Sequence, residues 1–379
     1  MADLIHPHLL KTPETMNRSK ISRILVWSVT LLGLLGVSLA ARQPNWVESQ
    51  YSTGVYPAIG RILRSFTGIF PFSVGDVFYT ILSIVLIIIF FRFVRQVWRK
   101  ELKKQLLLKQ VGRLVLICCW VYIGFYGIWG LNYYRAGIAS QLNLQVDTCY
   151  DQTELKKLRC SLMEDMRRLR WVISKDTSLP EPKGDLFKQA EAAYAKAALV
   201  YPFLAYQQPA MKKSLFGALG KYGGYTGYYN PSSGEGQIRW NMPGLLKPFT
   251  ICHEMAHQLG YASESEANFV AYLVCMASED PYFQYSAVLD IFHYVTAELM
   301  LHDPEAYVLH PNLFFGEVDT MVQRDRLAIR RFFLNEQNNI APVVSSLYNQ
   351  YLLANNQIRG VESYYDVVAW VLALRKKRQ

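Results

Sequence analysis

Hydrophobic positions fall into two regimes along this chain. Up to about residue 135 they come in long unbroken runs, and beyond it they recur at helical spacing between charges. ILVWSVTLLGLLGVSLAA, between Arg23 and Arg42, holds 18 residues without a charge. VFYTILSIVLIIIFF follows Asp76 and reaches about 20 apolar residues once the preceding FTGIFPFSVG is included. LVLICCWVYIGFYGIWGLNYY adds 21 more between Arg113 and Arg135, with an aromatic-rich outer end. A helix needs about 20 residues to cross a hydrocarbon core about 30 Å thick. The pattern therefore predicts a membrane domain over residues 1–135, with transmembrane helices at about 24–41, 70–91 and 114–134.

Residues 136–379 read as one further domain, mostly helical. LKKLRCSLMEDMRRLRWVI and GDLFKQAEAAYAKAALVY carry apolar residues at i, i+3 and i+4 with charges between them. The texture changes in GKYGGYTGYYNPSSGEGQIRWNMPG, where Gly, Asn-Pro and Ser-Ser-Gly signals interrupt aromatic and β-branched residues; a small hairpin or edge strand is expected there. From Pro248 onward the helical pattern resumes. The expected fold class is mainly α with a small β region.

Composition agrees with a chain that is part bilayer and part globule: 51% of residues are hydrophobic and 18% charged, against about 25% charged in soluble domains. The net charge of +10 invites a nucleic-acid reading until the charges are located. Eight Lys and Arg between Arg92 and Arg113 face only Glu101, squeezed between two apolar runs. That is a juxtamembrane loop suited to anionic lipid, not a nucleic-acid surface. Placing the N-terminal tail and this loop in the cytoplasm puts twelve positive residues inside against three in the segment from 42 to 75. The N-terminus is then cytoplasmic and everything after about residue 136 extracytoplasmic (periplasmic), in the cell's inner (cytoplasmic) membrane. VSLAA at the end of the first run resembles a signal-peptidase site; whether that segment is retained or cleaved, the C-terminal part ends outside. Cys149 and Cys160 are one candidate disulfide, Cys252 and Cys275 another, and spacing leaves both open.

The chemistry-bearing stretch is FTICHEMAHQLGYASESEANFVAYLVC, residues 249–275. His253, Glu254 and His257 form H-E-x-x-H. On a helix, i and i+4 share a face, so two imidazoles can bind one zinc ion with Glu254 beside the water it activates. Gly260 is placed to end that helix in a left-handed cap. Ser263 and Glu266 read as a capping box that starts a second helix almost at once. A carboxylate in its first turn, Glu264 or alternatively Glu266, is the candidate third ligand, leaving the fourth position open as catalytic zinc sites do.

An HExxH helix followed by a helix bearing E-x-x-x-[DN] is similar to gluzincin-type zinc metallopeptidases. That resemblance implies a zincin-like α+β domain with His253, His257 and Glu264 on the metal, Asn268 supporting a ligand histidine, and Glu254 as general base. The wider pattern, GYTGYYNPSSGEGQIRWN and then HEMAHQLGYASESEAN after a Pro-Phe, resembles a bacterial membrane family called domain of unknown function 3810. The six-residue gap between His257 and Glu264 is shorter than is typical of gluzincins. The expected function is a membrane-anchored extracytoplasmic metallopeptidase that hydrolyses peptide or amide bonds of an envelope substrate. The alternative is a non-catalytic binding or assembly protein on the same scaffold. His293, His302 and His310 have no spacing that selects them for the site.

Overall fold

A computed structural model of the chain describes residues 13–99, 104–147, 150–174, 180–302, 304–305 and 319–378. Its first elements are α1 (Pro13–Ala41), α2 (Tyr56–Thr67), α3 (Val74–Trp98) and α4 (Lys104–Ile128). A π-helical turn, Val47–Val55, leads into α2. Among the described residues, three stretches are long and apolar enough to span a membrane: Lys20–Ala41 in α1, all of α3, and Leu107–Ile128 in α4. Their side chains are almost wholly uncovered by protein, as lipid-facing positions require.

Two of these spans are shifted from expectation. The second starts at Val74 rather than about residue 70, because Ser73 caps the helix: its hydroxyl accepts from the Asp76 amide at 3.0 Å. The third ends at Ile128 rather than about 134. Beyond it Gly130–Tyr134 tightens into a 3₁₀ turn that buries Leu131, Asn132 and Tyr133 in protein. The aromatic-rich end, expected to belong to the third span, is part of a core.

The remaining elements are α5 (Gln152–Ile173), α6 (Leu186–Val200), β1 (Met211–Lys213), β2 (Gly227–Asn230), β3 (Glu235–Ile238), α7 (Lys247–Gln258), α8 (Glu264–Ala277), α9 (Pro281–His302), α10 (Thr320–Asn335), α11 (Ala341–Ala354) and α12 (Val367–Arg378). The protein is thus mostly helical with a small sheet. In α5, Leu155, Leu158, Leu162, Met166 and Leu169 bury one stripe against α9. A capping box between Asp151 and Glu154 starts that helix. Helix α7 is central, with α6, α8, α9 and the sheet all packed on it, and every residue from Pro248 to Gln258 is buried.

β2 and β3 form the expected hairpin, with Gly227 opposite Ile238 and Asn230 opposite Glu235. β1 was not anticipated. It lies parallel to β3, Met211 opposite Gly236, so that β3 is central and β2 is an edge. Three residues reading Met-Lys-Lys carry no alternation from which a strand is legible.

The segment between the first two spans belongs to the same packed body as the residues after 129. Val37, Val47, Tyr51, Tyr56, Tyr126, Trp129, Leu131, Tyr133 and Ala262 form a second core beside the main one, drawing in the ends of α1 and α4. The first turn of α3 is held by the sheet: the Val74 and Gly75 amides donate to the Glu235 carboxylate at 3.0 and 2.7 Å. A carboxylate at a helix N-terminus satisfies orphaned amides and favours the local dipole. Tyr228 Oη donates to Asp76 Oδ1 at 2.7 Å, and the Leu215 amide to Asp76 Oδ2 at 2.8 Å. Residues 42–76 and those after 129 therefore sit at one end of the three spans.

Glu235 is fully buried, so Glu235→Ala strands the buried Gly75 amide and the half-buried Val74 amide and should destabilise the folded state by about 2–4 kcal/mol. A thermal unfolding midpoint in detergent that is unchanged in this variant would contradict the assigned role.

Candidate metal centre

Helix α7 brings His253, Glu254 and His257 to one place, and its end is built as the sequence suggested. Gly260 has φ of +88°. The Tyr261 amide reaches back to the Ala256 carbonyl at 3.1 Å and the Gly260 amide to that of His257 at 3.0 Å, which is a Schellman termination. A Cβ at Gly260 would lie 2.8 Å from Tyr56 Cε1, so only glycine fits there. The tight turn lets α8 start at Glu264, folded back on α7. That close return is why a short connection suffices.

The capping box expected at Ser263 does not form. Ser263 is the residue before α8, but its hydroxyl bonds to Ser265 Oγ at 2.9 Å and Gln357 Oε1 at 3.0 Å instead of an amide of the helix. Glu266 turns the other way and accepts the Ile138 amide at 2.8 Å. Its proximity to Arg135 opposes the effect of burial, and burial wins, raising its pKa above the ordinary carboxylate value. Glu266 thus serves as an anchor for the chain just after the third span.

Glu264 faces the histidines. Its Oε2 lies 3.1 Å from His253 Nε2 and 3.5 Å from His257 Nε2. One donor atom from each of these three buried residues falls within 4.8 Å of the others. Both imidazoles are oriented from behind: His253 Nδ1 is 2.8 Å from Asn268 Oδ1, and His257 Nδ1 is 2.7 Å from the Tyr261 carbonyl. An acceptor at Nδ1 holds the proton there and turns the Nε2 lone pair inward, the arrangement that metal-ligating histidines use. Asn268 thus stands behind His253, one turn along α8 from Glu264. Tyr348 Oη, from α11, donates to Glu264 Oε1 at 2.8 Å, and Tyr364 lies with its ring parallel to that of His253. Sequence spacing gave no hint of either tyrosine, since they arrive from nearly a hundred residues away.

Glu254 is buried beside this group, and its Oε2 has no hydrogen-bond partner among the described residues. Burial, with Glu264 adding to it and His257 opposing, pushes its carboxyl up to about 8. Space for it is cut by two facing strands. A Cβ at Gly227 would come 2.6 Å from Glu254 Oε1, and one at Gly236 would come 3.1 Å from Glu254 Cβ. Those two glycines, read in the sequence only as turn signals, admit the carboxylate. Burial lowers the His253 pKa, whereas His257 is pushed up to about 9 because the Glu264 carboxylate outweighs burial. Glu264 is held well below the usual carboxylate range: burial pulls upward, and His257 and His253 together outweigh it.

Of the tyrosines in GYTGYYN, Tyr229 reaches the site, its ring 6.4 Å from that of His257 and its hydroxyl 3.3 Å from Tyr56 Oη. Tyr228 and Tyr225 bond elsewhere, to Asp76 and the Phe216 carbonyl. His302 lies by Glu298, at 3.9 Å, and His293 packs on Tyr294, both outside the group. His310 and Cys149 fall outside the described residues. Cys252 and Cys275 are buried neighbours with free thiols.

Residues 51–372 match the family described as Protein of unknown function (DUF3810). The chain belongs to that family. No curated protein and no solved structure matches it.

Glu264→Gln and Glu266→Gln separate the two carboxylates. The first removes the charge that keeps His257 protonated, so the His257 imidazole titration seen by NMR should fall toward its ordinary range near about 6.5. The second should leave it in place. Equal effects from both would contradict the assignment of Glu264 to the histidine pair.

Proposed function

We propose that this protein is a membrane-anchored zinc hydrolase of peptide or amide bonds, with His253, His257 and Glu264 holding the metal. The observation that carries the reading is the convergence of two Nε2 lone pairs and one carboxylate oxygen, with both Nδ1 atoms already committed to acceptors. Donors of this kind, nitrogen and oxygen with no thiolate, suit a zinc site with three protein ligands. Zinc bound there supplies a Lewis acid and lowers the pKa of water it holds to about 7.

The chain's own residues do the rest. Glu254, titrating near neutrality, is suited both to take a proton from the attacking water and to deliver it to a leaving amine. Its unpartnered oxygen is the group left available for that exchange. β2 has a strand neighbour on one side only and runs beside Glu254, which suits it to pair with an extended substrate backbone. The arrangement of α7 and α8 supports a gluzincin-like, zincin-type reading of the fold. The basic stretch between α3 and α4 supports a cytoplasmic placement of that loop, which sets the site on the extracytoplasmic face of the inner membrane, with an envelope peptide or protein as substrate.

One observation favours a second reading. Glu264 already satisfies both histidines and Tyr348, so the cluster closes on itself. That favours a non-catalytic binding or assembly protein on the same scaffold. Comparing the full-length protein with Glu254→Gln decides between them, using N-terminal labelling of envelope proteins to detect new cleavage products. The hydrolase reading expects metal-dependent products that vanish in Glu254→Gln while about one zinc per chain remains bound. Products that persist in the variant contradict Glu254 as base, and bound zinc with no products in either supports the scaffold.

A pH dependence follows from His257. With its pKa raised to about 9, it carries a proton at neutral pH in the metal-free chain and sheds it on binding a metal. Apparent zinc affinity should rise about tenfold per pH unit up to about pH 9. A flat affinity between about pH 6 and 8, measured by competition with a chelator, would contradict this.

A further inference from the structure

Helix α2 has its amphipathic character inverted relative to a surface helix of a soluble protein. The side turned to the protein is Tyr56, Gly60, Arg64 and Thr67, all buried. The opposite side carries Val55, Ile62 and Phe66, and the turn that follows adds Ile69 and Phe72; Ile62 is 70% exposed, Phe66 62% and Ile69 77%. Spacings of seven and four put Val55, Ile62 and Phe66 on one stripe, which the exposed Ile69 and Phe72 extend past the helix end. Full burial of each such side chain is favourable by about 1.5–3 kcal/mol, so a contiguous row of them facing water is costly and marks an interaction surface.

The inward side is committed to the metal helix. Arg64 Nη1 donates to the Gln258 carbonyl at 2.7 Å and Tyr56 Oη to the same carbonyl at 3.0 Å. Arg64 also holds the Gln207 and Gln208 carbonyls, and Thr67 Oγ1 the Ser233 carbonyl at 3.0 Å. The position of the outward side is fixed by continuity. α2 ends at Thr67 and the spanning helix α3 begins at Val74, so the apolar stripe runs into a membrane span within one short turn. On the other flank, Trp129, one residue past the third span, donates from Nε1 to the His257 carbonyl at 3.2 Å.

We propose that residues 55–72 lie in the interfacial layer of the bilayer that the three spans cross, with the apolar side of α2 in lipid and its polar side carrying the end of α7. A helix with one apolar and one polar face, continuous with a span, is the form that in-plane membrane helices take. The metal centre then sits at headgroup level. On the hydrolase reading above, on which this last consequence rests, the bonds within reach are those of chains held at the same surface.

The test uses the full-length protein in phosphatidylethanolamine–phosphatidylglycerol vesicles. Cys118, Cys119, Cys149 and Cys160 are replaced by alanine, and an environment-sensitive fluorophore is attached in turn at Ile62→Cys, Phe66→Cys and Ile69→Cys. Leu199→Cys, at a position 83% exposed and distant in sequence from every span, is the control. Lipids brominated on the upper acyl chain should quench all three α2-region labels several-fold more than the control. Quenching no greater than at residue 199 overturns the proposal, and so does fluorophore pairing between copies at residue 62, which would mean a second protein covers the stripe. The readout is position and not turnover, so it stands whether or not the site proves to be a hydrolase.

Discussion

The C-terminal end of α7 is the point on which the rest of the structure depends. The last carbonyls of a helix have no partner within it, and here they are buried, so each must be answered from elsewhere. Arg64 and Tyr56 answer Gln258, and Trp129 joins the Gly260 amide on His257. A guanidinium at that end also complements the helix dipole. The side-chain donors all come from chain that leads into or out of one of the three apolar helices. The helix bearing the two histidines is therefore fixed with respect to the ends of the three apolar helices by the same bonds that complete its own backbone.

The second constraint is the turn after that helix. Gly260 in a left-handed conformation brings α8 back at once, so that Glu264 in its first turn meets His253 and His257 and Asn268, one turn further on, supports His253. Glu254 is placed by a different device, the absence of side chains at Gly227 and Gly236. A buried carboxyl oxygen without a partner costs the fold about 1–3 kcal/mol. Stability alone gives no reason to keep one there, and its persistence beside two inward-facing imidazoles is what inclines the reading toward chemistry.

Much of this was legible along the chain, for local reasons. Unbroken apolar runs disclose spanning helices, and the i, i+4 spacing of His253 and His257 needs only a helix to become a face. Gly260 announces a helix end by itself. What local pattern misses is whatever depends on long-range partners. Ser263 and Glu266 fit a capping box by spacing, yet Gln357 and the Ile138 amide compete successfully for them. The aromatic end of the third apolar run reads as a continuation of the span and is instead drawn into a core with Tyr51 and Tyr56. Tyr348 reaches Glu264 across 84 residues, and nothing in its neighbourhood marks it. Helix α2 was hidden for another reason: its stripe is too short to span a membrane and its inward side too polar to look like a core.

The central claim is that His253, His257 and Glu264 together hold a metal ion at this clamped helix end. X-ray absorption at the zinc edge on the full-length, zinc-loaded protein tests it most directly. The account predicts a first shell of nitrogen and oxygen at about 2.0–2.2 Å with the scattering pattern of two imidazoles, reduced to one in His253→Ala. A shell containing sulfur at about 2.3 Å, or one lacking imidazole altogether, would contradict it.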